Sequence, residues 1–203
     1  MRGYIYISGA FKSLTNSVCG SQHGWIENDP HFWASPPTWG ICRWDLRQHA
    51  APGDYVFFVL PASFKLHGHR LPQMIYGYFR ITEVITHEEA FGRPNLKAKR
   101  MRTSKNPNGN IIVDAHGGYH VADRNVHRRR FNEISKFYAV GDDGDSEFLL
   151  HAPQRIQTME DGFIPTLREV FARPGRSAID LISRSGKVMK EAQVRTLLEW
   201  LRV

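Results

Sequence analysis

Short apolar and aromatic runs, separated by polar turn residues, recur along the first 150 residues of the chain. Their lengths, and their content of β-branched and aromatic side chains, are typical of buried or half-buried strands. The pattern predicts strands near residues 4–8, 55–60, 74–86, 111–113 and 136–140. Residues 41–50 are expected to form a short helix or a turn, and residues 87–91 a short helix.

The spacing of apolar residues changes in the last third of the chain. Apolar residues at i, i+3, i+4 and i+7 predict an amphipathic helix over about residues 190–202, with Val194, Leu197, Leu198 and Leu201 on its buried face. Shorter helices are expected at 167–171 and 177–183. Strands followed by helices indicate an α+β fold, which we expect to be a small β-barrel or mixed sheet with flanking helices and a helical C-terminal tail. One domain is expected over residues 1–150, with an extension over 151–203 that packs on it.

The composition is that of an ordinary globular protein, with 41% hydrophobic and 23% charged residues. No stretch approaches the roughly 20 apolar residues that span a bilayer, and the N-terminal segment is too short and too aromatic for a signal peptide. Cys19 and Cys42 lie far apart without a CxxC motif, so neither a disulfide framework nor a zinc site is indicated. We predict a cytoplasmic protein with no membrane association, no metal or other cofactor, and no obligate protein partner.

Positive charge is concentrated in two segments. The chain carries 27 Lys and Arg against 20 Asp and Glu, a net charge of +7. Residues 93–105 hold six basic residues and no acid, and residues 124–130 hold four arginines and a histidine. Each segment alone is also typical of a solvated surface, but both flank the same central region, which favours a shared nucleic-acid face. The predicted contacts to the DNA backbone are Lys99, Arg100, Arg102, Arg128, Arg129 and Arg130.

Three pieces of sequence, taken in order, resemble one group of domains. The first is ICRWDLR at 41–47 with PGDYVFF at 52–58, the second is MIYGYFRI at 74–81, and the third begins with GNII at 109–112 and ends at Phe137-Tyr138. Together they resemble the nucleotide-modification-associated domains and, more distantly, PUA-like and EVE domains, over roughly residues 1–150. The resemblance implies a PUA-like β-barrel. It also implies a link to modified DNA bases, whether in making, reading or removing them, in conflict between bacteria and phage.

The densest cluster of polar side chains lies at residues 114–127. Hydrolysis of the bond between a base and its sugar develops positive charge on the sugar, which a carboxylate stabilises directly or by activating water. Asp123 is the first candidate and Asp114 the second, with Asn125 or His127 orienting water or protonating the leaving base. The same residue types also form hydrogen-bonded turns, and that alternative stays open. A metal site is disfavoured because no HExxH-type spacing occurs.

A protein that acts on a base in DNA, or reads it, must take that base out of the stack and hold it. Aromatic rings offer stacking platforms, and guanidinium groups offer planar donors to a phosphate or to a sugar-decorated base. The predicted substrate-binding residues are Trp39, Cys42, Arg43, Trp44, Arg47, Tyr119, His120 and Tyr138. The competing interpretations are core packing for the rings and a surface ion pair, for example with Asp45, for the arginines.

Three functions are compatible with these residues. The first is a DNA glycosylase that excises a modified base, such as glucosylated hydroxymethylcytosine in phage DNA, and leaves an abasic site. The second is a non-catalytic module that binds the modified base. The third is a nuclease, which requires a metal-binding acid cluster that the sequence does not show. No P-loop, dinucleotide fingerprint or nucleophile elbow is present. The Asp, Asn and His cluster at 114–127 favours the glycosylase.

Overall fold

The computed structural model describes residues 1–8, 29–62, 65–66, 69–70, 73–102, 109–123, 125–149 and 153–202. Cys19 and parts of both basic segments, residues 103–105 and 124, lie outside these ranges. The strands are β1 Gly3–Ile7, β2 Thr38–Trp39, β3 Tyr55–Val59, β4 Lys65–Leu66, β5 His69–Arg70, β6 Ile75–Ile85, β7 Tyr138–Phe148 and β8 Lys187–Met189. The α-helices are α1 Trp44–Arg47, α2 His87–Gly92, α3 Phe131–Ile134, α4 Pro153–Phe171, α5 Ala178–Ile182 and α6 Glu191–Arg202. Short 3-10 helices cover Pro94–Lys99, Val121–Asp123 and Arg128–Arg130.

Six strands form one mixed sheet in the order β2-β7-β6-β3-β1-β8, and β4 pairs with β5 separately. β1 runs parallel to β3, with Gly3 opposite Tyr55, whereas β8, β6 and β2 pair antiparallel with β1, β3 and β7. The α+β class is therefore confirmed. The edge strands β2 and β8 are two and three residues long. The sheet is open, because these two strands do not pair with each other. Closure of a barrel requires pairing between the edge strands, so this sheet does not form the predicted closed barrel.

The chain divides into two compact units that are interleaved in sequence. The first unit contains Met1–Gly9, Gly53–Arg80 and Asp145–Val203, and the second contains Ala10–Pro52 and Ile81–Gly144. The C-terminal helices therefore group with β1 and β3. This grouping differs from a division at residue 150, and it places every predicted site residue in the second unit.

The first unit is built from regular elements with an aromatic core. β3 is buried along its whole length, and Phe58 contacts Tyr6 edge-on, with 5.4 Å between ring centroids. The helices α5 and α6 pack against β1, and α4 packs against α5 and α6. The buried face of α6 consists of the four residues predicted from their spacing. None of the described helices combines the length and apolar character needed to cross a bilayer.

Among its described residues, the second unit contains two apolar clusters and much irregular chain. One cluster is formed by Ala90, Leu96, Ile111, Val113, Tyr138 and Val140, and the other by Ile41, Met101, Ile112, Ala122 and Ile134. The strand predicted at 111–113 is reduced to single bridges, between Ile111 and Arg100 and between Val113 and Tyr119. The amide of Ile112 donates to a side chain, Nδ1 of His87, and not to a neighbouring strand.

Candidate active site

The segment 109–123 is fixed by burial of alternate side chains. Ile111 and Val113 enter one apolar cluster of the second unit, whereas Ile112 and Ala122 enter the other. The amides of Asn110 and Ile111 also donate to the carbonyl of Lys99, at 2.9 and 3.0 Å. The polar residues between Val113 and Ala122 are therefore anchored at both ends.

A fully buried carboxylate, Asp29, joins separate parts of the second unit. Its Oδ1 accepts hydrogen bonds from the amide of Gly40 at 2.6 Å and from Nδ2 of Asn110 at 3.0 Å, and its Oδ2 accepts one from the amide of Cys42. The Tyr138 hydroxyl donates to Oδ1 of Asn110 at 2.7 Å. Position 40 requires glycine, because a Cβ would lie 2.6 Å from the Tyr138 ring. Charge-assisted hydrogen bonds shielded from water hold this irregular chain in place.

His87 forms a second buried link. Its Nδ1 accepts from the amide of Ile112 at 3.2 Å, so Nε2 carries the proton and donates to the carbonyl of Gly40 at 2.7 Å. Burial, reinforced by the positive charge of Arg47, lowers the pKa of His87 to about 3. His87 is therefore a neutral structural residue that connects the segment at 109–113 to the segment at 38–42.

Three predicted substrate-binding residues, Trp39, Arg47 and Tyr138, are fully buried. Arg47 donates from Nη1 to the carbonyl of Cys42 at 2.7 Å, and its guanidinium carbon lies 5.4 Å from the centroid of the Trp39 ring. The indole nitrogen of Trp39 donates to the same carbonyl at 2.6 Å. These three side chains support the scaffold, and burial keeps them from the substrate contacts predicted for them.

Lys99, predicted to contact the DNA backbone, is also fully buried. Its Nζ lies 3.0 Å from Nδ1 of His31 and donates to the carbonyls of His31 and Ala34. Burial lowers the pKa of Lys99 to about 7, against the opposing charge of Asp143. Burial and the nearby Lys99 lower the pKa of His31 to about 3. The Lys99 amine thus links residues 31–34 to the 3-10 helix Pro94–Lys99. Because it is buried in these contacts, Lys99 does not reach a phosphate of DNA as predicted.

The structure brings together Asp123, His127 and Tyr119. Asp123 is only 6% exposed, and its Oδ1 lies 2.9 Å from Nδ1 of His127. Its Oδ2 accepts from the amide of His127 at 2.8 Å and from the Tyr119 hydroxyl. The Tyr119 ring packs edge-on against Phe131 at 5.4 Å, and Ala122 is buried beside Asp123 in sequence. Packing on both sides of Asp123 therefore fixes the position of its carboxylate.

The electrostatics of this group fix the proton positions. Burial acts to raise the pKa of Asp123, but hydrogen bonds from His127 and Tyr119 outweigh it and hold that pKa below its ordinary value. Burial and the hydrogen bond to Asp123 raise the pKa of Tyr119 to about 12. At neutral pH an ionised Asp123 therefore accepts the Nδ1 proton of His127. Nε2 makes no hydrogen bond within the described ranges, and the side chain is 28% exposed, so Nε2 is the nitrogen left to exchange a proton.

The other two predicted catalytic residues lie in separate turns. Asn125 has a left-handed backbone, with φ of 62°, and its Oδ1 accepts from Arg128 at 3.3 Å. Asp114 closes a turn in which Oδ1 accepts from the amides of His116 and Gly118, at 2.8 and 2.9 Å. These bonds, the one from His116 foremost, lower the pKa of Asp114. Among the contacts of the described residues, no hydrogen bond links Asn125 or Asp114 to the carboxylate of Asp123.

The three described arginines of the second basic segment lie at the surface. Arg128, Arg129 and Arg130 are exposed on the 3-10 helix that directly follows His127. The guanidinium carbon of Arg130 lies 5.7 Å from the centroid of the half-buried Trp44 ring. Arg43 pairs with Asp45, as the competing interpretation expected. Cys42 is half-buried, and its backbone groups serve the scaffold.

Four of the predicted site residues share a pocket. Arg100, Arg102, His120 and Asp114 line a space of about 390 Å³ in the second unit. Its cations belong to the first basic segment, and its acid and histidine belong to the polar cluster at 114–127. The sequence suggested both groups separately, and the fold brings them to one pocket.

Several residues around these sites carry no recognisable signal in the sequence. Val121 and Val126 flank Asp123 and are 83% and 71% exposed. Single apolar residues within a polar stretch form no periodic pattern, so nothing in the sequence marks them. Asp29 and His87 were missed because their hydrogen-bond partners lie far away in sequence. An aspartate before a proline and a histidine at a helix start are unremarkable on their own.

In the described part of the chain, no three His, Cys, Asp or Glu side chains are arranged to hold a metal ion.

No protein-family model matches the sequence, and comparisons with curated proteins and with solved structures gave no significant match. The resemblance to nucleotide-modification-associated and PUA-like domains therefore stays a prediction.

Proposed function

We propose that this protein is a DNA glycosylase that hydrolyses the bond between a modified base and its deoxyribose, leaving an abasic site. The observation that carries the proposal is the hydrogen bond between the buried Asp123 carboxylate and Nδ1 of His127. A carboxylate that fixes the imidazole tautomer and stabilises the imidazolium is the arrangement used for general acid–base catalysis. In this proposal the protein acts in the cytoplasm without a cofactor and is related to PUA-like domains.

The proposed reaction uses water as the nucleophile. A water molecule attacks C1′ of the sugar and transfers a proton to Nε2 of His127, while the base departs with the electron pair of the broken C1′–N bond. The base takes up a proton from solvent, and His127 later releases its proton. Asp123 is assigned a positioning role, because its two oxygens already accept hydrogen bonds from His127 and Tyr119. This differs from the sequence-based hypothesis that Asp123 itself meets the sugar or the water.

The surroundings of His127 suit a nucleic-acid substrate. Arg128 and Arg129 follow it directly and are exposed, as phosphate contacts need to be. Val121 and Val126 present bare apolar side chains on the same stretch of chain. Apolar side chains on a basic surface act in other DNA-binding proteins as wedges that unstack base steps. We assign the two valines this role, which would help to expose the target base.

The test is incubation of the protein with DNA from phages that carry hypermodified bases and with unmodified DNA, in the presence of EDTA. Released bases are identified by mass spectrometry, and abasic sites are detected by alkaline strand cleavage. We expect release of a modified base from the modified DNA only.

Three variants locate the chemistry. His127→Gln and Asp123→Asn are each expected to lower the rate of base release by about 10²- to 10⁴-fold, because one removes the proton acceptor and the other its orienting carboxylate. His116→Gln, which changes an exposed histidine of the same segment, is the matched control and should retain the wild-type rate. Undiminished release by His127→Gln would place the chemistry elsewhere. Selective binding of modified DNA with no released base would establish the alternative, a non-catalytic reader.

A further inference from the structure

The pocket of about 390 Å³ in the second unit has an uneven distribution of charge. Lys97, Arg100 and Arg102 line it together with a single carboxylate, that of Asp114. Within the described residues none of the three cations forms an ion pair, and Lys97 and Arg102 are exposed. Unpaired cations that converge on a concave space favour an anionic ligand, and the volume lies in the range of small-molecule sites.

Arg100 is held in place before any ligand arrives. Its guanidinium carbon lies 4.3 Å above the centroid of the Phe91 ring, and Nη2 donates to the carbonyl of Phe91. Its Nε is buried without a hydrogen-bond partner among the described residues. A guanidinium fixed by stacking loses little conformational entropy when it binds an anion, which favours Arg100 as the central cation of the site.

The same pocket also offers groups that a bare anion would not use. Oδ1 of Asp114 accepts hydrogen bonds from two amides of its own turn, and Oδ2 can accept a hydrogen bond from a ligand. His120 accepts from the amide of Ala122 at Nδ1, at 3.1 Å, so Nε2 of the neutral ring carries a proton to donate. Phe91 and Met101 supply the apolar part of the lining. The pocket therefore combines cations, one acceptor, one neutral donor and an apolar surface.

We propose that this pocket binds the terminal phosphate monoester of a nucleotide. The phosphate meets Lys97, Arg100 and Arg102, the base or sugar lies against the apolar part of the lining, and Asp114 accepts a hydrogen bond from a hydroxyl or amino group of the ligand. Inorganic phosphate would use only the cations. The monoester is carried either by a free mononucleotide or by a 5′-phosphorylated end of a strand. The site does not depend on base excision, since it requires no chemistry at His127.

Calorimetric titration of the full chain tests the proposal. The ligands are deoxynucleoside monophosphates, a 5′-phosphorylated trinucleotide, the same trinucleotide without its phosphate, and inorganic phosphate. We expect binding of at least one phosphorylated ligand at least tenfold tighter than binding of inorganic phosphate or the unphosphorylated strand. Whether the mononucleotide or the phosphorylated strand binds more tightly identifies the source of the monoester.

Variants separate the pocket from general charge effects. Lys97→Gln and Arg102→Gln are each expected to weaken binding by about tenfold or more, since each removes a charged partner of the phosphate. Lys136→Gln removes an exposed cation of the same unit and should leave the affinity unchanged. Equal effects of the three variants, or equal affinity for inorganic phosphate, would overturn the proposal. His127→Gln is expected to bind as tightly as the wild type, so a failure of base excision and a failure of this pocket are distinguishable.

Discussion

The two units of this protein are stabilised in different ways. In the first unit, parallel β1 and β3 and the helices α5 and α6 bury continuous apolar faces, and Phe58 packs among other rings. In the second unit, short elements are joined by buried polar side chains that bind the backbone, above all Asp29 and His87. Apolar packing tolerates small changes of volume, whereas a buried donor that loses its acceptor bears the full cost of desolvation.

This difference bears on where function can reside. All candidate site residues lie in the second unit. There, specific hydrogen bonds hold segments of backbone that are neither helix nor strand. Asp123, His127 and the pocket cations thus lie on irregular chain. Because such chain is not restricted to helix or strand geometry, its backbone can be shaped around a ligand. The comparison predicts that the second unit is more sensitive to loss of single polar groups than the first is to loss of single methyl groups.

The largest effect is expected for Asp29→Ala. The change leaves the amides of Gly40 and Cys42 and Nδ2 of Asn110 without their acceptor. We expect the free energy of unfolding to fall by about 3–5 kcal/mol, since each buried unsatisfied group costs about 1–3 kcal/mol. Urea denaturation followed by circular dichroism measures this loss.

The matched change in the first unit is Ile5→Val, which removes one methyl group from a fully buried side chain of β1. Its expected cost is about 0.5–1.5 kcal/mol. A loss for Asp29→Ala no larger than that for Ile5→Val would show that the polar network does not stabilise the second unit as described.

The next effect depends on pH and concerns Lys99. Its folded-state pKa is about 7, whereas the unfolded chain keeps an ordinary lysine pKa of about 10.4. Between these values the unfolded chain binds a proton that the folded protein has released, so Lys99 makes the free energy of unfolding rise with pH. His31 faces the amine and stays neutral throughout this range, and Asp143 supplies the nearby opposing charge.

Lys99→Met should abolish this dependence. From about pH 7 to about pH 9.5 we expect the wild type to gain up to about 3 kcal/mol of stability relative to the variant. Denaturation of both proteins at the two pH values measures the difference, and titrations common to both cancel. A constant gap between wild type and variant would show that Lys99 does not release its proton in this range.

The same contrast explains what the sequence predicted. The strands β1, β3 and β6 and the helix α6 follow from local apolar patterns, and the structure confirms them. Asp123 and His127 were also among the four candidates named in the polar stretch at 114–127, and the structure brings these two together. The burial of Arg47 and Lys99 was not predicted, because it depends on contacts with residues distant in sequence, such as Phe137 and His31. A buried arginine and an exposed one look the same in a local pattern.

The smallest change in stability is expected when the same substitution, tyrosine to phenylalanine, is made once in each unit. Tyr138→Phe removes a buried hydroxyl that donates to Asn110 at 2.7 Å, whereas Tyr78→Phe removes one that lies 3.4 Å from Glu147 and also interacts with Arg202. We expect a loss of about 1–2 kcal/mol for Tyr138→Phe and less than about 0.5 kcal/mol for Tyr78→Phe, because the bond to Glu147 is long and the Arg202 side chain is exposed to water, which replaces the lost partner. Both rings are retained, so thermal denaturation compares the hydroxyl groups alone. Equal losses would mean that buried polar groups are as important to the aromatic core of the first unit as they are to the network of the second.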